Sequence, residues 1–158
     1  MRRTDKEILD QEEIFQVIDR ATHCHLALSA GDEPYLIPLS FGRNGSSIFV
    51  HTAIEGEKIK FMANNPVARL SFECDVKLVN SSIEACKWTF SFYSVIARGR
   101  LGELTEPDRK RAGLDVIMAH YSDRHWTFPD AGIDRVRVWE IPLIEMTGKR
   151  TADKSDLG

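Results

Sequence analysis

The chain has 158 residues, 42% hydrophobic and 28% charged, with 21 Lys and Arg against 24 Asp and Glu. That length and composition support one globular domain with a real core and leave no room for two of ordinary size. The slight negative charge and scattered basic residues exclude the basic footprint of a nucleic-acid binder, and no apolar stretch is long enough to span a bilayer as a helix.

The opening run MRRTDKEILDQEEIF begins with two arginines and then turns acidic, without the apolar segment of a secretory signal. Cys24, Cys74 and Cys86 form an odd set at irregular separations, which fits neither a disulfide framework nor a zinc knuckle. A cytoplasmic location is expected.

Asp10 and Glu13 have the form of a capping box, and Ile14, Val17, Ile18 and Ala21 recur at helical spacing, so residues 10–21 read as an amphipathic helix. Alternation follows, with Cys24, Leu26 and Leu28 on one side of a strand and His25, Ala27 and Ser29 on the other. A turn at Gly31-Asp32 leads to a second strand, Tyr35 to Phe41, and Asn44-Gly45 then marks a hairpin that returns as Ser47 to Thr52. After Gly56, Ile59, Met62 and Ala63 mark a short helix that Pro66 must end.

Ala68, Leu70, Phe72 and Cys74 alternate with polar residues through Val76, the pattern of an antiparallel strand wet on one face. Residues 77–86 show no period and read as a loop. Trp88 to Leu104 is too long for one regular strand, and Gly99 and Gly102 are the expected places for a bend or bulge. Thr105 is placed to cap a helix whose buried stripe is Leu114, Ile117, Met118 and Tyr121. After an irregular segment at 122–134, Arg135 to Met146 resumes strand character, with Pro142 calling for an edge position or a bulge. Short strands with hairpin turns and few helices give a mainly β fold with flanking α, a small antiparallel barrel. The domain is expected over residues 1–150, with a disordered tail at 151–158.

Chemistry is concentrated in FVHTAIEGEKIKFMANNP, residues 49–66, where a strand runs into a glycine turn and then a helix with Lys58 in its first turn. Free N–H groups at a helix start favour an anion, Lys58 adds a charge suited to phosphate, and Thr52 offers a hydroxyl nearby. Taken by spacing alone, a solvated lysine on an amphipathic helix is the favoured explanation of the pattern. In WTFSFYSVIARGR, residues 88–100, aromatics alternate with small hydroxylated residues, and Tyr93 and Ser94 face opposite ways. Phe90 and Phe92 read as core residues there, and Arg98 and Arg100 rank below Lys58 as anion ligands. His23 and His25 share a strand face from which Cys24 points away, so structural histidines are expected rather than a metal site. No nucleophile signature such as G-x-S-x-G occurs.

Together, HLALS, PYLIPLSF, IFVHTAIEGEKIKFMANNPVARLSFE, FYSVIARGR and the closing MTGKR, in that order, resemble the nitroimidazole reductase-like branch of the pyridoxamine 5'-phosphate oxidase-like superfamily over residues 10–150. The resemblance implies a six-stranded antiparallel split β-barrel, a homodimer with FMN at the subunit interface. It implies that Pro38, Leu39 and Ser40 run along the isoalloxazine edge, that His51, Thr52 and Ala53 approach the ring and ribityl chain, and that Lys58 binds the phosphate. Ser94 and Val95 would come from the neighbouring subunit. On this basis the phosphate reading of Lys58 displaces the solvated one.

The chain departs from the family in having Ser91 and Phe92 where relatives often carry a basic residue and a tyrosine. It also lacks the Arg-Leu ending of true pyridoxamine phosphate oxidases, which speaks against vitamin B6 as substrate. The expected function is an FMN-dependent oxidoreductase passing electrons from a reduced donor to a small-molecule acceptor, with His51 as candidate proton donor or substrate contact. The alternatives are a non-catalytic flavin or haem carrier or sensor, and a structural dimer whose site has decayed.

Overall fold

A computed structural model of the chain describes residues 4–151; residues 1–3 and 152–158 lie outside the described residues, and with the latter nearly all of the expected tail. Thr151, counted with that tail, is tied down: its N–H donates to the Phe92 carbonyl at 3.0 Å and its hydroxyl accepts from the Phe92 N–H at 2.7 Å.

In chain order the described elements are β1 (Glu7–Ile8), α1 (Gln11–Arg20), β2 (Cys24–Ala30), β3 (Glu33–Leu39), β4 (Phe41–Asn44), β5 (Ser47–Ala53) and α2 (Glu57–Asn64). There follow β6 (Val67–Val79), β7 (Thr89–Arg100), β8 (Gly102–Leu104), α3 (Pro107–Tyr121), α4 (Asp130–Ile133) and β9 (Val136–Arg150). Every ladder is antiparallel, and the hydrogen-bonded path runs β3-β2-β6-β7-β9-β5-β4, with β1 and β8 also on β9. The two ends of that path, β3 and β4, are joined through Ser40 alone, so covalent continuity rather than a ladder closes the barrel.

The expected strands are all present, and the described residues form nine rather than six. The additions are short: β1, β8 where the 88–104 run breaks, and β4 where Ser40 separates it from β3. The expected loop at 77–86 is also shorter, because β6 continues to Val79 beyond a bulge between Cys74 and Lys77, where Asp75 sits at φ 54. One extra residue in a strand inverts the inward and outward positions, which erases the period in the sequence.

β9 joins the two halves of the barrel. Its residues 136–142 pair with β5, and its residues from Leu143 onward pair with β7. The switch occurs at Pro142, which has no N–H to give, opposite a register shift between Arg98 and Gly99. The extra residue of that shift is Ile144, so the bulge on this central strand lies two residues beyond Pro142. Gly99 is required there because a Cβ would lie 2.6 Å from Ile141 Cγ2 and 2.7 Å from the Pro142 carbonyl oxygen.

The alternating residues of β2, β6 and β7 fill the interior with Leu26, Leu70, Phe72, Val95 and Ala97, all essentially buried. α1 closes one end with Ile14, Val17 and Ile18, and the Asp10 carboxylate accepts from the Glu12 and Glu13 N–H groups as its cap. Three ion pairs fasten α1 to the wall: Asp19–Arg43 from β4, Arg20–Asp75 from the β6 bulge, and Glu13–Arg150 from β9. α3 lies across the outside of β5, β8 and β9, where Leu114 and Ile117 meet Val138 and Leu104. Its N-cap is Glu106 rather than Thr105, without a side-chain cap bond. Of its expected stripe, Tyr121 stays partly exposed, yet its hydroxyl accepts from the Phe41 N–H and donates to the Thr22 carbonyl, pinning α3 to the start of β4.

Gly99→Ala should destabilise the fold by about 1–3 kcal/mol through overpacking at the switch. Gly102→Ala, whose Cβ would meet only the Glu140 carbonyl oxygen at 3.7 Å, should be nearly neutral. Chemical denaturation of both variants measures the difference, and equal stability would remove the steric role of Gly99.

Candidate functional site

β5 carries Ile48, Val50 and Thr52 inward, and this alternation leaves His51 and Ala53 exposed at its C-terminal end. The chain then bends through Ile54 and Glu55 to Gly56, whose φ of 131° and ψ of 170° belong to a region that only glycine occupies readily. From there α2 begins without a side-chain cap, and the Ile59 N–H already donates back to the Gly56 carbonyl at 3.1 Å. The amides ahead of it have no intrahelical acceptor, so they present partial positive charge outward. α2 is anchored behind this end by buried Phe61 and Met62, with the Phe61 ring stacked on Tyr35 at 4.7 Å.

Lys58 is half-buried on the first turn, and no ion pair among the described residues takes it up. Its charge reaches His51, whose pKa is held below the usual value, first by desolvation and then by repulsion from Lys58. An anion among these groups would meet helix amides and an ammonium together, and it would relieve the repulsion on the imidazole. The chain's own residues therefore fit a phosphate.

The other expected site residues occupy two further places. Pro38 is exposed, Leu39 is half-buried against the core, and Ser40 is the exposed corner between β3 and β4. Among the described residues β3 pairs only with β2, so none of them forms a ladder with its other edge. Ser94 points to the outer face of the sheet, where it lines a cavity of about 440 Å³ with Phe90, Phe92, Ile96, Glu73 and Lys149. Its neighbour Val95 is fully buried with its side chain inward, so only its backbone can face a ligand. Phe90, expected in the core, is instead half exposed at this cavity, and Phe92 lies 5.5 Å from the Lys149 ammonium. The register Pro38–His25–Ser71–Ile96 puts Pro38 on the same outer face as the cavity.

One chain therefore brings His51, Ala53 and Lys58 together at the end of β5 and holds Ser94 elsewhere, on β7. Thr52 lies between His51 and Ala53, but its side chain is 3% exposed and its hydroxyl accepts from the Trp139 indole N–H at 3.2 Å. Sequence reasoning missed Trp139, and no local signal marks it, since the two partners lie 87 positions apart. Arg137, whose guanidinium sits 5.2 Å from the Trp139 ring centre, was missed for the same reason.

His23 and His25 meet edge to face with ring centres 5.0 Å apart, while Cys24 points into the core, where burial pushes its thiol up to about 12. Among the described residues no group of three or more His, Cys, Asp or Glu side chains is arranged to hold a metal. No helix among them is long and apolar enough to cross a membrane.

The sequence model for pyridoxamine 5'-phosphate oxidase matches residues 10–150. No curated protein matches the chain. Among solved structures, a provisionally assigned 5-nitroimidazole antibiotic resistance protein from Bacteroides thetaiotaomicron is 29% identical, with 90% of this chain and 85% of that one covered at a TM-score of 0.81. The flavocytochrome Anf3 from Azotobacter vinelandii is 19% identical over 99% of this chain and 77% of its own, with a TM-score of 0.82. An FAD and haem binding protein from Mycobacterium smegmatis is 16% identical over 94% of this chain and 74% of its own, with a TM-score of 0.83. At such identities the last two bear on the fold alone.

In the protein without added ligand, His51 should titrate below its unperturbed value of about 6.5. Lys58→Gln should raise that pKa only part of the way, because desolvation is the larger cause. Since the unfolded chain takes up this proton first, the neutral imidazole costs stability as pH falls from about 6.5 toward the folded pKa. Histidine NMR titration of both proteins checks the shift, and an unmoved pKa in Lys58→Gln would separate the two residues.

Proposed function

The chain belongs to the pyridoxamine 5'-phosphate oxidase family, and on that premise we propose that it is a cytoplasmic FMN-binding oxidoreductase acting as a homodimer. The observation that carries this reading is the start of α2 behind Gly56, without a side-chain cap, with Lys58 in no ion pair among the described residues and its charge felt at His51. Those groups would hold the phosphate. Pro38, Leu39 and Ser40 would offer the backbone edge of β3 to the isoalloxazine ring, and His51 and the backbone at Thr52 and Ala53 would lie along the ring and ribityl chain.

The partner subunit would add Ser94 and the backbone of Val95. The apolar outer face supports a second copy: Phe90, Ile96 and Val76 are exposed around the Ser94 cavity, and Leu36 is 65% exposed on β3. Burial of such side chains is what a stable dimer provides.

When bound, FMN supplies the electron transfer between a reduced donor, such as a reduced nicotinamide, and a small acceptor of the nitroimidazole type. The protein's residues anchor, orient and exclude water. His51, whose pKa is lowered by desolvation and then by repulsion from Lys58, would contact the acceptor or serve as proton donor.

Visible spectroscopy with added FMN tests the cofactor, and chromatography of the released compound identifies it. Lys58→Glu should weaken FMN binding by roughly 10- to 100-fold, the size of a lost charge-assisted bond. The melting temperature of the flavin-free protein should change little. Equal affinity would sink the phosphate assignment. Bleaching of bound flavin by the donor and its recovery with an acceptor identifies an enzyme, whereas bound flavin inert to both identifies a carrier or sensor.

A further inference from the structure

The flavin reading leaves one of its own residues facing the wrong way. Thr52 sits between two exposed positions at the site, yet its hydroxyl points into the barrel and accepts from Trp139 Nε1. Trp139 lies on β9 opposite Val50, two pairs along from the Thr52–Arg137 pair and on the same face, so the bond crosses the ladder diagonally. The indole is itself held. Arg137 lies over its ring, and Arg137 Nε and Nη2 donate to the two Glu103 carboxylate oxygens at 2.7 and 2.5 Å from β8. Of the three tryptophans Trp139 alone is buried, at 6% exposure against 52% for Trp88 and 41% for Trp126.

We propose that Thr52 is a positioning residue rather than a ligand: its hydroxyl, held by the Trp139 indole N–H, fixes the end of β5 from which His51, Ala53 and the Gly56 turn present the anion site. This rests on the flavin reading of the α2 start. Beyond Ala53 the backbone leaves the β5–β9 ladder, and the next three residues carry no ladder bond before α2 begins. The direction in which β5 ends therefore sets where Gly56 and Lys58 stand relative to His51. A single buried side-chain bond at the last inward position controls that direction, and the Arg137–Glu103 fork keeps its donor from rotating away.

The test uses full-length protein carrying Thr52→Ser, Thr52→Val, Trp139→Phe, or the last two combined, with FMN affinity from flavin fluorescence and thermal melting recorded for each. Thr52→Val and Trp139→Phe should each weaken FMN roughly five- to twenty-fold, and Thr52→Ser should stay within about twofold of wild type. The double variant should be no weaker than the worse single one, because both substitutions break the same bond. Weakening in Thr52→Val with full affinity in Trp139→Phe would overturn the proposal, since the hydroxyl would then touch the ligand. Full affinity in both would overturn it as well.

If the wild type takes no FMN, the flavin reading fails, and the His51 titration of the flavin-free proteins then decides the positioning role. A His51 pKa displaced in both Thr52→Val and Trp139→Phe and restored in Thr52→Ser supports it. A value unmoved in both overturns it.

Discussion

The close contact of Gly99 with Ile141 and Pro142 is the constraint on which the barrel depends. One strand has to serve two half-sheets, and it can change partners only where a ladder bond is missing and the opposing backbone comes very near. Proline removes the N–H and glycine removes the side chain, so the two residues solve the same problem from opposite sides. The half-sheets then receive different treatment. α3 covers the outer face of β5, β8 and β9, while the outer face of β6 and β7 keeps exposed aromatic and aliphatic side chains.

The candidate site draws on that division. His51 and Lys58 stand where β5 leaves the half-sheet under α3, and Ser94 stands on the bare one. In the proposed reading, main-chain amides, a single lysine and a glycine conformation would hold the anion, and few side chains would be committed to it. In the same reading the side chains would supply direction, with the inward-facing hydroxyl of Thr52 held by Trp139 at the end of β5.

Most strands were legible because their period was unbroken: Cys24 to Leu28 and Ala68 to Cys74 alternate and are buried as their spacing demands. The hairpin was equally plain, since its turn chemistry is local, but its two turn residues are Gly45 and Ser46 rather than Asn44 and Gly45: Asn44 pairs with Ser47, and Gly45 alone of these takes positive φ. The extension of β6 to Val79 was not, because the bulge at Asp75 shifts the alternation. The cap at Glu106 escaped because Thr105 is the better capping residue by type, and the chain makes no side-chain cap there. At the site, Gly56 and Lys58 could be found from a strand-turn-helix pattern, whereas the orientation of Thr52 follows from parity along β5 and its partner only from the fold. Phe90 and Phe92 look like core residues in one dimension because exposure on a bare sheet face leaves no mark in the sequence.

The strand that unites the two halves also governs when they can form. β9 pairs with β1, β5, β7 and β8, and it is the last strand in the chain order of the described residues. During synthesis the earlier strands emerge from the ribosome before this common partner exists, with β5 and β7 each lacking one neighbour. Such contacts, distant in sequence, make closure of the barrel slow and late. The nascent chain therefore carries open strand edges on β5 and β7 until residues 136–150 are free of the exit tunnel, and pairing of those edges with another chain is the hazard that this order of synthesis creates.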